Sequence, residues 1–342
     1  MKSLIAVFLI LPPTVYYLFF WNNIAVPKCK IISCLHGPNS EPEALKHPIF
    51  FTSLLLTLIF ASCRQRYELA FVSDRSGKAD IYLTDSDTSF FARLYTDDMM
   101  KHSPVWAHDG SALLFVAVGQ WANDLAMAAP DGSGFRYLTR DPFLVAHPDF
   151  SPDGQYIVYM SDRDHPNGEL YLMRPDGTIH KRLTYNLQTE KTPRFAPDGR
   201  RIVYTEELQH APDLDNPNPA AGALYLTDTA GQPPILLYLS DDLPGMASFS
   251  PNGKQVVFHE VRGEIGEIMV LDISKSLRYS LTSGDPDSRW PVWSPDGKWI
   301  AYVRRSNDNT DIWMMRADGS QKRALVVSPF RDEMPAFRPH RK

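Results

Sequence analysis

The sequence predicts an all-β fold: a six-bladed β-propeller with four-stranded blades, its ring closed by the C-terminal strand completing the first blade. Three observations predict it. A motif, Pro-x-aromatic followed by Ser/Ala-Pro-Asp-Gly, recurs at near-constant spacing. Each copy is followed by the same succession of short apolar runs and tight turns, as a propeller blade requires. The first unit lacks its Pro-x-aromatic strand, and an extra copy stands at the C-terminus to supply it. Composition agrees. The 342 residues are 44% hydrophobic and 22% charged, which is ordinary for a folded protein. A net charge of −5 without a long Lys/Arg run argues against nucleic acid as a partner.

Before the repeats lie two apolar stretches. Residues 1–44 read as a non-native upstream extension or an additional membrane segment, with Leu45 as the real start. Residues 45–62 read as a signal peptide. Their apolar run, 48–62, is shorter than the ~20 residues of a membrane span but has the proportions of a signal h-region. It ends Phe60-Ala61-Ser62-Cys63, which resembles a bacterial lipobox, with Phe60 where that family prefers Leu. The resemblance implies lipidation at Cys63, with 63–67 as anchor and short linker and 68–342 as the propeller. Cys29 and Cys34 fall in the removed part, so the exported domain is expected to have no disulfide.

The motif reads SPVWAHDG at Ser103, HPDFSPDG at His147, TPRFAPDG at Thr192, MASFSPNG at Met246, WPVWSPDG at Trp290 and MPAFRPHR at Met334. Its anchors, Pro104, Pro148, Pro193, Ala247, Pro291 and Pro335, are spaced 44, 45, 54, 44 and 44 residues apart, the long interval holding an insertion at 209–222. An Asp-Gly or Asn-Gly turn follows, tolerant of the positive φ of a hairpin. Then come near-continuous apolar runs (113–118, 156–160, 202–204, 256–258, 300–303), as in a strand covered on both faces. A third strand usually opens on an acidic residue, at Asp80, Asp124, Glu169, Glu267 and Asp311. A fourth is expected to end Leu-Thr, at Thr139, Thr184 and Thr282. The Asp74-Arg75 and Asp162-Arg163 pairs are expected to form structural ion pairs with Asp80 and Glu169.

The units from Ser151 and Ser294 resemble the WD-like, Pro-Asp-type repeats of the TolB-like propeller family, over about residues 69–339. That resemblance implies the fold and leaves the function open, since such repeats also occur in prolyl-oligopeptidase-like enzymes and oligogalacturonate lyase. TolB carries an α/β domain ahead of its propeller. Here Cys63 precedes the first blade by about six residues, so the Tol–Pal role is not transferred.

Catalytic motifs are missing: there is no Gly-x-Ser-x-Gly elbow, Walker loop or His-Glu-x-x-His. His102, His147, His165, His210 and His259 map to the face bearing the loops after second and fourth strands. His108, His180 and His340 map to the Asp-Gly face. The residues ahead of the inner strands, Lys101, His102, His147, Lys191, Arg289, Trp290 and Glu333, are expected to line the channel mouth and bind an envelope protein, a peptide or a carbohydrate. The expected function is a non-catalytic scaffold without cofactor, monomeric and lipid-anchored. Arg64 rather than Asp after Cys63, by resemblance to enteric lipoproteins, implies the periplasmic face of the outer membrane in a Gram-negative host. The competing expectation is a metal-dependent polysaccharide lyase of the oligogalacturonate type, with His102 and His147 as ligands of a divalent metal.

Overall fold

A computed structural model describes residues 66–94, 96–209 and 220–339. Residues 1–62, Cys63 where lipidation is expected, His210, His340 and most of the 209–222 insertion lie outside the described residues.

Among the described residues are 24 strands in six antiparallel four-stranded sheets. Blade 1 contains β1 (Glu68–Ser73), β2 (Asp80–Asp85) and β3 (Phe91–Arg93). Blade 2 is β4 (Met100–Trp106), β5 (Leu113–Val118), β6 (Asn123–Ala128) and β7 (Arg136–Tyr137). Blade 3 is β8 (Val145–Phe150), β9 (Ile157–Ser161), β10 (Glu169–Met173) and β11 (Ile179–Arg182). Blade 4 is β12 (Thr189–Phe195), β13 (Arg201–Gln209), β14 (Ala220–Asp228) and β15 (Ile235–Ser240). Blade 5 is β16 (Leu243–Phe249), β17 (Gln255–Arg262), β18 (Ile265–Asp272) and β19 (Leu277–Ser280). Blade 6 is β20 (Ser288–Trp293), β21 (Trp299–Ser306), β22 (Asn309–Arg316) and β23 (Arg323–Val326). The last strand, β24 (Asp332–Phe337), pairs antiparallel with β1 in the register Leu69↔Phe337 and Ser73↔Asp332, and so completes blade 1.

Why the middle strands are apolar on both faces follows from the packing. Six core clusters each lie between two adjacent blades, so every sheet is covered on both sides. The cluster of Leu69, Phe71 and Tyr82 with Ile312, Met314 and Phe337 joins blade 6 to blade 1 and closes the ring. The Asp-Gly turns take the positive φ their sequence asks for, +69° at Gly154 and +70° at Gly297. In the turn at Gly154, Asp153 Oδ1 accepts the Gln155 N–H at 3.0 Å.

Two local expectations are corrected. The Leu-Thr pairs lie beyond their fourth strands. Instead, the Thr139, Thr184 and Thr282 hydroxyls accept the N–H groups opening the third-strand ladders, Leu125, Leu170 and Ile268, at 2.9, 2.9 and 2.8 Å. The ion pairs also differ in partner. Asp80 and Glu169 are held by arginines of the fourth strands, Arg93 at 2.6 Å and Arg182 at 2.7 Å. Arg75 pairs instead with Asp332 at 2.7 Å, and Arg163 with Asp141. The fourth strand is the nearest neighbour of the third, so its arginine reaches the acidic opener first.

Candidate functional site

The six inner strands, β4, β8, β12, β16, β20 and β24, surround the central channel. All six carry the same irregularity. The ladder to the second strand slips by one residue at the motif, for example between His102 and Val105 and between Ala146 and Asp149. At each slip the residue before the motif's Pro (Ala247 in blade 5) takes a left-handed backbone: Ser103, His147, Thr192, Met246, Trp290 and Met334, with φ from +50° to +53°. Six non-glycine residues in this region mark a repeated β-bulge, which bends the strand and re-aims its side chains.

Below the bulges the channel encloses a cavity of about 330 Å³. Its wall includes the variable residue of each Pro-x-aromatic motif: Val105, Asp149, Arg194, Ser248, Val292 and Ala336. The motif aromatics, such as Trp106 and Phe150, stand behind them and are buried between blades. Towards the Asp-Gly face the wall ends in Pro152, Pro197, Pro251, Pro295 and Pro339, with His108 in the sixth place.

One charge pair sits in this wall. Asp149 Oδ2 accepts the Phe195 N–H of the neighbouring blade at 2.8 Å. Arg194 reaches back and donates Nη1 to the carbonyls of Pro148, at 3.2 Å, and Pro193, at 2.9 Å. Burial pushes the Asp149 carboxyl up to about 6 against the opposing pull of Arg194, and burial lowers the Arg194 guanidinium from its ordinary value.

Of the residues expected at the mouth, only Trp290 lines this cavity. Lys101 is corrected outright. It is fully buried, with Nζ 3.1 Å from Asp97 and 3.5 Å from Asp80 of blade 1, so it faces the neighbouring blade rather than the channel. His102 has Nδ1 3.0 Å from the Ser103 hydroxyl, and burial lowers its pKa. His147 has a buried Nδ1 without a hydrogen-bond partner, and burial, aided by the nearby Arg194 charge, depresses its pKa to about 3. Lys191 pairs with Glu207 at 2.6 Å, and Arg289 with Asp287 at 2.7 Å. Glu333 accepts from the Thr310 hydroxyl at 3.2 Å, and burial raises its pKa. Beside them His259, whose pKa burial lowers to about 3, fills the space over Gly245, where a Cβ would stand 2.5 Å from its Nε2.

The missed residues, Asp149 and Arg194, had a signal. They stand at the variable position between the motif's nearly constant Pro and its aromatic, which is where a repeat can differentiate its blades.

A divalent metal does not fit these residues. His102 Nδ1 faces a hydroxyl, His147 Nδ1 is enclosed, and among the described residues no group of three His, Cys, Asp or Glu side chains could hold a metal ion.

The loop-rich face has a different chemistry. Trp121, between β5 and β6, is 90% exposed, and Tyr185 and Leu187, between β11 and β12, are each 72% exposed. Ile265, which opens β18, and Val327 and Phe330, between β23 and β24, are exposed at the same face.

Comparison with known proteins agrees with this architecture. The family model described as the TolB beta propeller domain matches residues 141–341. An uncharacterized protein of Agrobacterium fabrum is 31% identical over 114 residues, which are 33% of this chain and 38% of that protein. The chain thus aligns with well under two thirds of that relative. Among solved structures, TolB from Acinetobacter baumannii superposes with a TM-score of 0.68 at 19% identity, covering 80% of this chain and 67% of that one. An oligogalacturonate lyase in complex with manganese superposes with a TM-score of 0.50 at 13% identity, covering 76% and 86%. At these identities the likeness is one of fold.

Proposed function

This chain belongs to the TolB β-propeller family, and on that premise we propose that it is a non-catalytic interaction scaffold, anchored in the cell envelope through Cys63, that docks a partner protein on its loop-rich face. The observation that carries the reading is the set of exposed Trp121, Tyr185, Leu187, Ile265, Val327 and Phe330 side chains on one end of the ring. Large aromatic and aliphatic groups held in water on one face are the usual anchors of a protein interface. The mouth residues Lys191, Arg289 and Glu333 supply a charged centre within that apolar rim, although each already has an internal partner.

Site-specific photocrosslinking in the native host tests this. A crosslinker at position 121 or 187 is expected to trap one reproducible partner, whereas one at Ser133, on the Asp-Gly face, traps none. Equal adducts from both faces would sink the reading. In the same cells Cys63→Ser is expected to move the protein from the membrane to the soluble fraction, and retention in the membrane would remove the lipid anchor from the proposal.

A further inference from the structure

The channel wall is asymmetric in a way its repeated backbone does not require. In four blades the variable motif residue is Val105, Ser248, Val292 or Ala336, all uncharged, and those blades make the same bulge and the same closure. Only blades 3 and 4 place charges there, Asp149 and Arg194. Burying charges is costly unless something compensates, and the four neutral blades demonstrate that ring geometry does not need them.

Nor are the two groups used up by the fold. Arg194 spends Nη1 on backbone carbonyls, which leaves Nη2 and Nε. Asp149 gives Oδ2 to the Phe195 N–H, which leaves Oδ1 without a partner from another blade. Both residues line the cavity. Across it, blades 5, 6 and 1 present Met246, Trp290, Val292 and Met334. The space therefore offers one cationic fork, one carboxylate and an apolar wall. Its volume of about 330 Å³ lies at the small end of ligand pockets, which run from roughly 300 Å³ upward, so it suits a metabolite rather than a peptide or an oligosaccharide.

We propose that the waist of the channel binds a free apolar α-amino acid as its zwitterion, the carboxylate on Arg194, the ammonium on Asp149 and the side chain against Met246, Trp290, Val292 and Met334. A guanidinium favours a carboxylate through paired N–H donors, and the ammonium restores neutrality beside Asp149. Entry is from the Asp-Gly face, past the proline ring and His108. None of these residues except Trp290 belongs to the mouth of the loop-rich face, so the inference stands apart from partner docking.

Calorimetric titration of the full-length chain in detergent tests it, with L-leucine, leucinamide (no carboxylate) and 4-methylpentanoate (no ammonium). Leucine is expected to bind, and each single-charge analogue to bind at least about tenfold more weakly. Arg194→Gln is expected to weaken leucine by about tenfold or more. Because Arg194 also ties blade 4 to blade 3, Ser248→Leu serves as a second variant. It keeps both charges, fills the cavity and is expected to abolish binding while the melting temperature of the unliganded protein holds. The proposal is overturned if leucine, methionine and phenylalanine all give no heat up to about 10 mM. It is equally overturned if the analogues match leucine, or if Ser248→Leu binds like the parent.

Discussion

Glu190, in β12, shows how much one side chain can withhold from stability. It is fully buried, accepts hydrogen bonds from the Thr184 hydroxyl and from Asn186 Nδ2 at 2.7 Å, and has the Glu169 and Glu206 carboxylates close by. Burial, followed by repulsion from those carboxylates, raises its pKa from 4.5 to about 8. Below pH 4.5 the group is protonated in both folded and unfolded chains. As pH rises the unfolded chain ionises freely while the folded one holds its proton, so stability falls until the folded group ionises near 8. Glu190→Gln cannot ionise. We expect it to stabilise the protein by about 2 kcal/mol at neutral pH, with the gain vanishing below pH 4.5. Urea denaturation of both proteins at several pH values checks this, and a gain independent of pH would refute it. At this scale the sequence was least readable. Lys101 looked like a mouth residue because charge and position are visible in a sequence, whereas the acidic partners that the neighbouring blade brings against it are not.

Strands are a different matter. Alternation of turn residues with apolar runs located every second and third strand, since a chain covered on both sides has to be apolar throughout. The left-handed residue before each proline was not foreseeable, because a residue preceding proline ordinarily favours extended backbone. The fourth strands were misplaced by a few residues for a related reason: a threonine hydroxyl continues the ladder where the backbone stops. Thr282 tests that substitution of side chain for backbone. Its hydroxyl accepts the Ile268 N–H at 2.8 Å, and it is fully buried. Thr282→Val leaves that N–H without an acceptor, and we expect a loss of about 1–3 kcal/mol. Hydrogen exchange at the Ile268 amide should accelerate in step with the lowered urea midpoint. Unchanged exchange at Ile268 would show that the hydroxyl carries no such role.

For the whole molecule, the count of strands was decisive. Five complete repeats and two partial ones allow a closed ring only if the ends share a blade, and the β24–β1 pairing is that arrangement. The last strand also ties blade 1 to blade 2, where Trp106 Nε1 donates to the Ala336 carbonyl at 3.1 Å and Arg338 Nε to the Gly110 carbonyl at 2.9 Å. On the other side Tyr67 donates to Asp296 of blade 6 at 2.9 Å. Deleting 334–342 removes the first set and uncovers β1. We expect the melting temperature to fall by about 10 °C or more, because each blade depends on its neighbours for cover. A truncated protein that melts like the parent would mean that blade 1 is stable with three strands. The channel's overall position followed from the same count, while its chemistry did not, since two charges among six equivalent slots acquire meaning only once the slots are known to face one another.

That shared blade has a consequence in time as well as in space. A ribosome delivers β1 before the other described strands and β24 after them, so blade 1 waits, incomplete, while the other five blades are made. Its partner cannot be replaced by an earlier segment, because the other five inner strands are each followed at once by their own second strand. A message cut short before β24 would yield a chain with an unsatisfied strand edge on β1, open to proteases and chaperones. The ring thus checks its own propeller: only a chain read through β24 can shut.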